Sequence, residues 1–171
     1  LTAQNNSMLE LSREIRREVD KVDPAVTVGV CTPHCLWDID GTSPIELAQI
    51  LAGDNKPLIR LHSAPYSATH SSKSLTLVFE LARMFASFAD GCGAELYAEG
   101  DVYPRPRYFT PSSHLELYDA VIRANGVHDG MFKYIFDYVS EPLYETGYLE
   151  RHCRMLPLER EIGELFEGKV Q

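Results

Sequence analysis

The sequence has no apolar run near the roughly 20 residues that cross a bilayer, and no basic-then-apolar leader of the secretory kind. It has no surplus of basic charge. Sixteen Lys and Arg stand against 25 Asp and Glu, a net charge of -9, and no basic patch of the nucleic-acid-binding type stands out. Membrane and nucleic acid are therefore not expected as partners, and a neutral or cationic ligand suits the charge better than a polyanion. Cysteine is scarce: Cys31, Cys35, Cys92 and Cys153. Cys31, His34 and Cys35 make a C-x-x-H-C spacing with no matching second pair, so no metal is expected there. The thiols read as buried and free, in a reducing, cytoplasmic setting. No Gly-x-Gly-x-x-Gly or Walker loop is present to cradle a nucleotide, and no Gly-x-Ser-x-Gly elbow to carry a serine nucleophile. No cofactor is expected.

What is present is an ordinary globular composition, 44% hydrophobic and 24% charged over 171 residues. That is enough for one α/β domain over residues 1–171 with a substantial core. Apolar residues at helical spacing predict helices over 8–22, 44–51, about 74–89, 113–124 and about 157–166. Ser7 with Glu10, and Ser113 with Glu116, read as capping boxes. Ser43-Pro44-Ile45-Glu46 combines an N-cap, Pro at N1 and Glu at N3, with Gly53 closing the helix. In the third helix, Leu77, Val78, Leu81, Phe85 and Phe88 read as the buried stripe; in the fourth, Leu115, Leu117, Val121 and Ile122 do. Short β-rich runs predict strands over 26–31, 58–62, 95–98 and 131–136. Alternation of this kind predicts parallel strands joined by right-handed crossovers, four β-α units in all.

Polar chemistry is sorted along this pattern. The segments before the strands hold plain turn residues such as Asp23-Pro24, Asp90-Gly91 and Asn125-Gly126. The segments after them hold the residues that bind and react. Trp37, Asp38 and Asp40 follow the first strand, and His62 and Tyr66 the second. Glu99 closes the third, where Gly100 is expected to let the chain turn away, and Asp101, Arg105 and Arg107 come next. Asp137, Tyr138, Tyr144 and Glu145 follow the fourth. In a parallel α/β fold these ends lie on one side. Carboxylates beside aromatic faces and guanidinium groups suit carbohydrate chemistry: rings stack on sugar C–H groups, and glycoside cleavage needs one ionised and one protonated carboxyl. Glu99 is the candidate for the ionised member, with Arg105 or Arg107 to favour its charged form.

Four β-α units with Glu99 ending the third strand resemble the C-terminal half of a (β/α)8-barrel glycoside hydrolase. The segment Ala98-Glu99-Gly100-Asp101-Val102-Tyr103-Pro104-Arg105-Pro106-Arg107 is also similar to that of glycosidase-like barrels of bacteria. In the retaining clan of such enzymes a nucleophilic Glu ends the seventh strand. The resemblance implies that Glu99 is that nucleophile, that Tyr66 lies near it, and that the four strands are barrel strands five to eight. The acid/base Glu of the fourth barrel strand has no counterpart. The resemblance therefore implies a half-barrel completed by a missing N-terminal half or by a second copy in a homodimer. Two further readings are a non-catalytic carbohydrate-binding domain, with Trp37, Tyr66 and Tyr144 as stacking platforms, and a doubly wound flavodoxin-type domain.

Overall fold

The computed structural model describes residues 2–32, 41–61, 72–89, 91–100, 112–133 and 146–167. Helices and strands alternate from end to end: α1 (Thr2–Val22), β1 (Val30–Cys31), α2 (Pro44–Ala52), β2 (Leu58–Leu61), α3 (Ser72–Ala89), β3 (Glu95–Gly100), α4 (Ser112–Asn125), β4 (Gly130–Lys133) and α5 (Thr146–Phe166). The strands form one parallel sheet in the order β1-β2-β3-β4, an α/β fold. A doubly wound sheet reverses its strand order at a switch point. The order here runs straight through with no reversal. Among the described residues, no helix is long and apolar enough to cross a membrane.

The chain forms two compact units, Leu1–His62 with Phe85–Tyr97, and Ser63–Met84 with Ala98–Gln171. In the first, α1 packs on α2, and α2 packs on β1 and β2. Ala48, Leu51, Ala52, Ile59 and Leu61 are buried there. β1 and β2 pair with Val30 opposite Ile59 and Cys31 opposite Arg60. Gly29 sits just before β1, where a Cβ would meet the Leu58 carbonyl oxygen at 2.9 Å, so glycine is what lets the two backbones approach. The Ser43 hydroxyl accepts from the Glu46 N–H at 3.3 Å, and Gly53 ends α2 at φ 60°, as the sequence pattern predicts. The buried Arg16 ties α1 both to the segment leading into β1 and to the end of α2. Its guanidinium donates to the Val26 carbonyl at 2.8 Å and the Leu51 carbonyl at 3.0 Å, and it pairs with Asp20. It thereby satisfies the Leu51 carbonyl, which α2 alone would leave open near its C-terminus.

In the second unit, Ala82, Ala98, Tyr118 and Ile122 form a buried cluster, with Val78, Phe79 and Met131 packed against it. The Phe79 and Tyr118 rings stack with centroids 6.1 Å apart. α4 packs along α5.

Several elements differ from the sequence pattern. α1 starts at Thr2, six positions before the expected start, and Ser7 lies inside it. Its hydroxyl donates to the Ala3 carbonyl at 3.0 Å instead of capping. Ser113 is likewise inside α4, not at its start. β1 spans two residues rather than six: Val30 pairs with Ile59 and Cys31 with Arg60. α5 begins at Thr146 and runs through Pro157. The proline removes one helical hydrogen bond, but α5 is held by its packing on α4, and packing outweighs propensity. α3 buries only part of the stripe expected of it: Phe85 is buried and Val78 packs on the core, but Leu77 and Phe88 are each 60% exposed, and Ala82, Ala86 and Ala89 are buried instead. Small alanines allow close approach, which hydrophobicity alone does not signal. Leu117 of α4 is exposed for the same reason of facing: Leu115, Tyr118 and Ile122 take the inner face. The free thiols Cys31 and Cys153 are exposed and Cys92 half-buried, against the expectation of buried ones.

Candidate functional site

Glu99 lies within β3 next to its last residue, Gly100. Successive strand residues alternate between faces. Ala98 points into the buried cluster, so Glu99 belongs to the opposite face, with Tyr97 and Glu95. Its side chain is nevertheless only 4% exposed. The Tyr118 hydroxyl donates to the Glu99 carbonyl oxygen at 2.9 Å, fixing the backbone at this point. Gly100 has a different role from the turn expected of it. It is in the strand, and a Cβ there would stand 2.6 Å from Lys133 Cδ and 2.8 Å from Met131 Sδ. Glycine leaves the room through which the Lys133 stem passes.

Of the residues expected around Glu99, the others lie outside the described residues: Trp37, Asp38 and Asp40; His62 and Tyr66; Asp101, Arg105 and Arg107; and Asp137, Tyr138, Tyr144 and Glu145. His34 and Cys35 of the C-x-x-H-C segment do too.

A second constellation, which the sequence analysis did not single out, occupies the seam between α4 and α5. Lys133, the last residue of β4, donates to Asp119 Oδ1. The Lys133 side chain is half-buried and that of Asp119 almost wholly buried. On α5, His152 and Glu159 are two turns apart and so share one face. His152 Nδ1 stands 3.5 Å from Asp119 Oδ2 and 3.8 Å from Glu159 Oε1. Those two carboxylate oxygens are buried and have no hydrogen-bond partner. Burial raises the Glu159 carboxyl above its usual range, and the neighbouring Asp119 charge adds to this; His152, Lys133 and Arg123 act the other way. Toward solvent, Arg151 donates to Glu116 and closes the seam. A cavity of about 10 Å³ remains between Ser112, Leu115, Glu116, Asp119, Lys133 and His152, the size of one water. One trace was legible: Asp119 falls among Leu115, Tyr118 and Ile122 on the apolar face of α4, where an acid needs a partner.

At the other end of α4, His128 lines a groove of about 460 Å³ together with Arg123, Asp129 and Glu159. Both its ring nitrogens are buried without a hydrogen-bond partner. Burial lowers its pKa from 6.5 to about 4; Asp129 opposes this and Arg123 adds to it. A histidine whose folded pKa is depressed stabilises the fold fully above its unfolded pKa. That stability is lost as the pH falls toward the folded value, because the unfolded chain takes the proton more readily. Urea melts are therefore expected to show His128 contributing roughly 2–3 kcal/mol of stability at pH 7 relative to about pH 4.5. His128→Leu, which leaves no ring nitrogen unsatisfied, is expected to remove that part of the pH dependence. An unchanged slope in the variant would refute the assignment.

Compared with protein-family models, curated proteins and solved structures, the chain matches none.

Proposed function

We propose that the chain is a carbohydrate-acting half of a TIM-type (β/α)8 barrel, with Glu99 as the ionised carboxylate. The observation that carries the reading is the strand order. Four parallel strands running β1-β2-β3-β4 without reversal match consecutive barrel strands and disfavour the doubly wound alternative. Glu99 then falls near the C-terminal end of the third strand, where barrel enzymes hold their reactive groups. Its place on the face away from the Ala98 cluster corresponds to the inward face of a barrel. In this reading Trp37, Tyr66 and Tyr144 are the candidate stacking residues and Arg105 or Arg107 the candidate partner of Glu99; all five lie outside the described residues. β1 and β4 end the strand order among the described residues, and in this reading an N-terminal half or a second copy closes the barrel. A cytoplasmic setting belongs to the proposal, on the ground that Cys31, Cys92 and Cys153 are free thiols.

Binding tests it without needing the second carboxyl. A cationic iminosugar mimics the charge of the oxocarbenium-like transition state and pairs with an ionised carboxylate. Calorimetry on the chain with a panel of iminosugars and their parent sugars is expected to show at least one iminosugar bound. Glu99→Gln should weaken that binding by about tenfold or more, the scale of one charge-assisted contact. No binding across the panel, or equal binding by the variant, would remove Glu99 from the role.

A further inference from the structure

We propose that Asp119 Oδ2, His152 Nδ1 and Glu159 Oε1 bind a divalent transition-metal ion, zinc by preference, which clips α5 to α4. The three atoms all lie within 4.8 Å of one another. Zinc holds nitrogen and oxygen ligands at about 2.0–2.2 Å in a tetrahedron, so its ligands stand about 3.3–3.6 Å apart. His152 Nδ1 is already 3.5 Å from Asp119 Oδ2 and 3.8 Å from Glu159 Oε1. Closing the set needs only modest movements of side chains.

The hydrogen-bond balance points the same way. Asp119 is 1% exposed and Glu159 6%, and each aims an oxygen without a hydrogen-bond partner at the shared space. The His152 Nδ1 atom can give a proton to only one of the two. One buried carboxylate oxygen then stays unsatisfied, at a cost of about 1–3 kcal/mol or more. A cation meets both oxygens and the imidazole lone pair together. Lys133 does not compete for the site, because it holds the other oxygen of Asp119. Its charge offsets one of the two carboxylates, so the site is not the over-charged acidic cage that calcium prefers. One imidazole with two carboxylates suits zinc and its first-row neighbours. The water-sized cavity beside Asp119 and His152 has room for a fourth ligand. The role is structural: the ion bridges one residue of α4 and two of α5 and takes no part in the chemistry proposed for Glu99.

The test uses untagged protein stripped with EDTA. Zinc chloride is titrated by calorimetry, and cobalt(II) chloride is followed by its visible absorption. The expected result is one equivalent of zinc bound, a rise in thermal midpoint, and the intense d–d bands of tetrahedral cobalt. His152→Ala and Glu159→Gln are each expected to lower zinc affinity at least about tenfold while keeping the wild-type circular dichroism. If one of them does not fold, the other with the cobalt spectrum decides. Glu99→Gln is expected to bind zinc as the wild type does. Absence of saturable binding at one equivalent, an octahedral cobalt spectrum, or undiminished affinity in the folded variants would overturn the proposal.

Discussion

Glu99→Gln is expected to lower turnover of an activated glycoside by about 10³-fold or more, the scale on which single catalytic groups count. The substrate matters. The dinitrophenyl group leaves as a stable phenolate and needs no proton, so the first step requires no acid/base carboxyl. The Glu99 carboxylate would attack the anomeric carbon, the C–O bond to the phenolate would break, and a glycosyl ester on Glu99 would form. Without a base to activate water, that ester should turn over slowly. The expected trace is a burst of one equivalent of phenolate before a slow steady state, and a mass increase of one glycosyl unit on the peptide carrying Glu99. The amide of Gln is a far weaker nucleophile, so both burst and adduct should vanish in the variant. If the wild type shows no burst but binds sugars, the carbohydrate-binding reading stands in place of the hydrolase.

Lys133→Met is expected to destabilise the fold by about 3–5 kcal/mol, the usual cost of removing one partner from a buried ion pair. For a chain of this length that is a fall in thermal midpoint of roughly 10 °C. The methionine fills much the same space, so the loss isolates charge. Asp119 would keep its buried carboxylate with the Glu159 carboxyl and the His152 imidazole as neighbours. Proton uptake by the pair would limit the penalty, so the variant should recover stability as pH falls. Adding Asp119→Leu to Lys133→Met should restore most of the loss, since a packed apolar pair replaces a buried ionic one at little net cost. Melts in EDTA keep any bound ion from masking the effect. A loss below about 1 kcal/mol would class the pair with exposed salt bridges.

Local signals succeed where the structure they specify is itself local. The α2 signals worked because each acts within a few residues: Ser43 caps Glu46, and Gly53 takes the positive φ. The same logic misplaced Ser7, since a Ser with a Glu three residues on also occurs inside a helix that continues upstream, and set the start of α4 one residue late, at Ser113 instead of Ser112. Pro157 suggested a helix start, but α5 runs through it because its contacts with α4 act over many residues. Gly100 looked like a turn residue, and its reason is the Lys133 side chain, which is distant in sequence.

The sequence by itself determined the alternation of helices and strands, and with it the α/β class, because apolar period and turn chemistry are local properties. It also determined that Glu99 falls at the close of the third strand. Tertiary structure alone decided that β1-β2-β3-β4 is the strand order, since strand neighbours are chosen by pairing across the chain. It alone brought Asp119, Lys133, His152 and Glu159 together. Buried charges select their partners by distance in space, and nothing in the spacing of these four residues along the chain records it.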